Sequence, residues 1–125
     1  ETQIPAYIAS FKKDAESVSD DFQKLADRMG YSILFVTHPV PTQLKNVEPD
    51  SIYGYLAISG VSSYWDRQGY SNINLWDGLN ENIGEDRSFK YSWPIDKHFN
   101  SDGYRIMGKL IADSLIQKPE LLTRD

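Results

Sequence analysis

The chain has 125 residues and a formal net charge of -5, which suits one domain or one part of a larger one with a modest core. That acidic balance argues against an electrostatic grip on nucleic acid or anionic lipid, which needs clustered Lys and Arg, and no apolar run approaches the roughly 20 residues that cross a bilayer. The absence of cysteine excludes disulfides, thiolate nucleophiles and cysteine-bound metal centres, while 13% aromatic residues mark a chain that folds.

From Ala6 to Met29 the apolar positions Ile8, Phe11, Ala15, Val18, Phe22, Leu25, Ala26 and Met29 recur at three- and four-residue steps, which predicts an amphipathic helix. Gly30 supplies its C-terminal cap. The run SILFVT, residues 32–37, is short, continuous and rich in β-formers, and stops at His38-Pro39; it reads as a buried strand of the parallel type. Pro39, Pro41 and Pro49 make residues 38–50 a loop.

Asp50 or Ser51 can cap a second helix with Ile52, Tyr55, Leu56, Tyr64 and Trp65 on or near its buried face, interrupted by Gly54 and Gly60. After Gly69, NINLW (residues 72–76) alternates polar and apolar and predicts a second strand ending at Asp77-Gly78. Residues 78–93 read as a loop with room for one helical turn. The last helix starts after Asn100 or Ser101 as cap, with Asp102 at its positive end and Tyr104, Met107, Ile111 and Leu115 as one stripe; Pro119 stops it.

Alternating helices and strands predict an α/β fold. The start at Glu1, without Met or a signal-peptide pattern, reads as a cut edge.

Chemistry concentrates before the last helix. A histidine base works best when its second ring nitrogen donates to a carboxylate that fixes the tautomer and steadies the imidazolium. In an extended segment residues i and i+2 project to the same side, so Asp96 and His98 can serve one site.

The stretch IDKHFNSDGYRIMGKLIADSL, residues 95–115, resembles the last block of the SGNH (GDSL-like) hydrolases and acyltransferases. There, Asp and His precede a short polar turn, a glycine and an amphipathic final helix. Asp96, His98, Phe99, Asn100, Gly103 and Tyr104 carry the resemblance, in the Asp-x-His spacing familiar among carbohydrate esterases and O-acetyltransferases of that family.

The resemblance extends loosely over residues 15–117. It implies that residues 1–125 form the C-terminal portion of a single such domain, part of a flavodoxin-like three-layer α/β/α sandwich with parallel strands. It implies serine-dependent ester hydrolysis or O-acyl transfer on an ester-bearing or hydroxyl-bearing small molecule or polysaccharide, with His98 as base and Asp96 as its orienting acid. Neither a metal nor an organic cofactor is called for. The compartment stays open, with a secreted, periplasmic or cell-surface setting slightly favoured.

The family's Gly-Asp-Ser-like nucleophile motif and its oxyanion-hole Gly and Asn have no counterpart here. Ser59 and Ser62 fall within an expected helix, without the strand-to-turn setting that exposes a nucleophile. The missing N-terminal half of the domain is therefore the expected partner, and the chain alone should be nearly inactive.

Plainer roles compete for the other residues. His38 reads as a structural loop residue, and two histidines 60 positions apart give no metal-binding spacing. Trp76, Phe89, Tyr91 and Trp93 read as packing or loop anchors before cleft-lining residues. Glu81, Glu85 and Asp86 read as a solvated turn, and Asp102 as a partner of the helix dipole. A rival function is a non-catalytic module that binds glycans by stacking, with Asp96 and His98 only steadying the loop.

Overall fold

The computed structural model describes residues 5–44, 50–83, 90–93, 95 and 98–123. Among these residues, five α-helices, two short strands and a terminal 3₁₀ turn follow in the order α1 (Ala6–Met29), β1 (Phe35–Thr37), α2 (Pro41–Leu44), α3 (Asp50–Gln68), β2 (Asn72–Asn74), α4 (Trp76–Ile83) and α5 (Ser101–Gln117), ending in the turn Pro119–Leu122. β1 and β2 pair in parallel, with Phe35 opposite Asn72, Val36 opposite Ile73 and Thr37 opposite Asn74.

This corrects the expected architecture. Helix, the 3₁₀ turn included, accounts for 72% of the described residues, and the sheet has two strands of three residues each. That is a mostly helical protein with a small parallel ribbon, not a three-layer α/β/α sandwich. The run at residues 32–37 pairs only over its second half. β2 stops at Asn74 because the Asn74 side chain accepts the Trp76 N–H at 2.9 Å, which starts α4 two residues later. Leu79 and Ile83 of α4 then enter the core, where a loop was expected.

The first helix ends as the periodicity predicts. Gly30 adopts φ 75° and returns its N–H to the Ala26 carbonyl, a left-handed cap that a Cβ would strain. In the expected loop after β1, residues 41–44 form α2 instead. Pro41 opens it, and the Gln43 side chain accepts the Val40 N–H at 2.9 Å in the manner of a capping box.

α3 runs unbroken through both of its glycines. They sit where neighbours pass closely: the Gln43 side chain lies over Gly54 and the Lys12 stem over Gly60. Its buried face consists of Gly54, Ala57, Ile58, Val61, Ser62 and Trp65, whereas Ile52, Tyr55 and Leu56 are exposed. Small residues let α1 and α2 approach, so bulk alone misassigns the face.

Alternation along the strands divides the packing. Leu34, Val36, Ile73 and Leu75 join Leu44, Leu79, Ile83, Phe99 and Met107 in the main cluster beneath α4 and α5. On the other side Phe35 stacks on Trp65 of α3, with ring centroids 5.1 Å apart, and Thr37 shares a hydrogen bond with Ser62 at 3.1 Å. Burying large side chains of this kind contributes roughly 1.5–3 kcal/mol each.

α1 is fastened to α3 by a polar node. Tyr64 and Tyr70 each donate a hydroxyl to the Asp20 carboxylate at 2.8 Å, and the Trp65 indole N–H donates to Ser19 Oγ at 2.8 Å. Ser19 in turn donates its hydroxyl to the Ala15 carbonyl at 2.6 Å. The two tyrosine hydrogen bonds hold the Asp20 carboxyl below its ordinary range. Their counterparts rise: the bond to Asp20 raises Tyr64, while burial first and the bond to Asp20 second push Tyr70 up to about 12.

Candidate functional site

The segment before α5 forms a small arch. Ser92 and Phe99 make an antiparallel bridge, Trp93 donates its N–H to the His98 carbonyl at 2.9 Å, and Asn100 donates its N–H to the Tyr91 carbonyl at 3.0 Å. Phe99 drives this geometry by inserting into the core with 3% of its surface exposed. At the crown of the arch Ile95 is 94% exposed.

Asn100 locks the arch to the helix. Its Oδ1 accepts the N–H groups of Asp102 and Gly103 at 3.0 and 3.1 Å, and its Nδ2 donates to the Lys90 carbonyl at 2.7 Å. One side chain thus caps α5 and closes the base of the arch. Gly103 is required by contact: a Cβ there would run into the Tyr91 carbonyl oxygen and the Phe99 ring. The motif residues Phe99, Asn100 and Gly103 therefore each have a structural task. Asp102 pairs with Arg105 one turn on and lies in the first turn of α5, the dipole role expected of it.

His98 follows the crown and is exposed. Asp96, its expected orienting acid, lies outside the described residues, as do Phe89, Glu85 and Asp86. Glu81 is exposed on α4.

His38 sits in the loop after β1, as the sequence led one to expect. It follows the C-terminal end of β1, is exposed, and places its ring 6.3 Å from that of Phe99, the neighbour of His98. Its Nδ1 lies 3.1 Å from the Pro39 carbonyl. The signal available in the sequence was its place just past a parallel strand, the edge where ligands of parallel sheets bind. His38 also borders an apolar cleft of about 370 Å³ whose other walls include Tyr7, Phe11, Val40, Ala57 and Ile58.

Aromatic residues surround the arch. Trp93 is 56% and Tyr104 52% exposed, the Tyr104 ring meets Phe99 edge-on at 6.1 Å, and the Lys90 ammonium stands 5.1 Å over the Tyr91 ring. Trp76 instead packs edge-on against Tyr55 at 5.3 Å, the anchoring role expected of it.

Ser59 and Ser62 of α3 are engaged as helix residues. Ser59 donates to the Tyr55 carbonyl at 2.7 Å, and Ser62 is buried against Thr37. Among the described residues, no group of three or more His, Asp or Glu side chains could hold a metal ion. No described helix is long and apolar enough to cross a membrane.

Compared with known proteins, the chain matches no protein-family model, no curated protein and no solved structure.

Proposed function

We propose that the arch carries the base of a serine-dependent esterase or O-acyltransferase of the SGNH kind, with His98 as the base and Asp96 as its orienting acid. The observation that supports this reading is an exposed histidine on a firmly tied arch at the C-terminal end of a parallel strand pair, its neighbour Phe99 lying 6.3 Å from the ring of His38. His98 takes the hydroxyl proton of a serine as its oxygen attacks an ester carbonyl; the alcohol leaves with that proton, and an acyl-enzyme remains. Water then completes hydrolysis, or a sugar hydroxyl completes transfer. The serine comes from a separate N-terminal half of the domain, the partner this reading requires.

The test is turnover of an activated acetyl ester by the intact gene product. His98→Ala should lower it on the order of 10³-fold or more, and unchanged turnover sinks the assignment.

A second reading rests on a different observation, the exposed Trp93 and Tyr104 rings flanking the arch. Such faces stack on sugar rings, so a non-catalytic glycan-binding module would use them directly. Glycan binding that survives His98→Ala but is lost in Trp93→Ala selects this reading.

A further inference from the structure

The most apolar face of α1 is not the face that packs. α1 meets α3 through Lys12, Ser19, Ala26 and their neighbours, and of these only Ser19 and Ala26 are fully buried. Phe11, Ala15, Val18, Phe22, Leu25 and Met29 lie about a quarter-turn away at 3.6 residues per turn. Five of the six are large and half-exposed: Phe11 54%, Val18 52%, Phe22 52%, Leu25 49% and Met29 56%.

Their spacing alternates four and three without a break. A helix that lies on a sheet carries a broad apolar face, whereas a strict two-in-seven stripe is the narrow seam by which one helix meets another. Seven-residue repetition over the whole of α1 makes the stripe complementary to a copy of itself. We infer that the protein forms a homodimer through this stripe, with α1 packed antiparallel against α1 of a second copy.

Area supports this occupant. The five side chains together with Tyr7, 62% exposed, leave at most roughly 500–800 Å² per copy if a large side chain presents ~150–250 Å² in full. A symmetric pair therefore buries up to roughly 1,000–1,600 Å², which reaches the size of a specific interface.

Charge and volume choose the direction. Antiparallel pairing centred near residue 20 sets Ala15 opposite Leu25, Val18 opposite Phe22 and Phe11 opposite Met29, large against small or flexible. The same register brings the exposed Asp14 of each copy to the exposed Arg28 of the other, giving two opposite-charge pairs at the flanks. Asp21, which meets its own counterpart at the centre, already carries Lys24 at 3.9 Å as a counter-charge.

Sedimentation of the protein across the micromolar range tests the inference. The expected result is a concentration-dependent dimer that Phe22→Glu converts to monomer with its helical circular dichroism retained. Arg28→Glu, at an exposed position and so safe for folding, should weaken dimerisation several-fold, and adding Asp14→Arg should restore it. A monomer at every concentration overturns the inference, as does a dimer indifferent to Phe22→Glu. A dimer that Arg28→Glu weakens but Asp14→Arg fails to restore overturns the antiparallel register.

Discussion

At the N-terminal ends of the two strands, Asp20, Ser19, Tyr64, Trp65 and Tyr70 bond to one another across 44 to 50 positions of sequence. At the C-terminal ends, the arch before α5 is held by bonds that reach ten residues or fewer, and it presents His98 to solvent. The first arrangement is a tertiary staple: α1, α3 and the approach to β2 must all be in place before it exists. The second is a local frame that Asn100 and Gly103 assemble on the first turn of α5, anchored to the core by Phe99, with Tyr91 packed against the same cluster. A long-range staple contributes to global stability, whereas a local frame holds a side chain in position without burying it.

Substitutions at the two ends should therefore differ in kind. The largest loss of stability is expected from Trp65→Ala at the staple. It removes the stack on Phe35 and the bond to Ser19, and truncating a buried Trp costs about 3–5 kcal/mol. Chemical denaturation measures this, and a cost near zero would mean that the node does not fasten α1 to α3.

Gly103→Ala comes next. The added methyl meets a backbone carbonyl that cannot step aside, so overpacking should cost about 1–3 kcal/mol and lower the melting temperature, and, under the proposed function, ester turnover with it. Full stability in this variant would show that the arch yields independently of α5.

A pH titration of the melting temperature separates the ends further. Asp20 is depressed on folding, so its contribution is present above the ordinary value of 3.8 and disappears as pH falls through the folded value. Tyr64 and Tyr70 are raised, so theirs is complete below 10.0 and is lost as pH rises through their folded values, about 12 for Tyr70. Tyr70→Phe should flatten the alkaline decline, and an unaltered decline removes Tyr70 from the account.

The smallest effect on stability belongs to His98→Ala, within about 0.5 kcal/mol as for an exposed side chain. A loss of folding rather than of turnover would make His98 part of the frame instead of its cargo.

Much of the helical skeleton was legible. The apolar period marked α1, Gly30 its end, and Asn100 the start of α5, because caps and stripes act over a few residues and leave their pattern in the chain. The parallel sense of the strands was legible too, though not the sheet they belong to. Strand length was not, since Asn74 ends β2 with a side-chain bond that alternation does not register, and Leu75 serves the core from outside the strand. The packed face of α3 was misread for a related reason: proximity to α1 and α2 selected Gly54 and Ala57, and proximity to β1 selected Ser62, over larger neighbours. At the site, Asn100 and Gly103 were legible as motif residues, but their tasks, tying Lys90 to α5 and clearing the Tyr91 carbonyl, emerge only from contacts in space. The place of His38 beside Phe99 depends on bringing residues 61 positions apart together, which no local pattern encodes.

The double attachment of Asn100 also has a kinetic signature. Because one amide side chain holds the start of α5 and the base of the arch, the backbone amides of Trp93, Asn100, Asp102 and Gly103 should exchange their protons with solvent deuterium as one cooperative unit. Fraying of the first helical turn then releases the histidine loop in the same event, so a molecule that stiffens that turn would slow both.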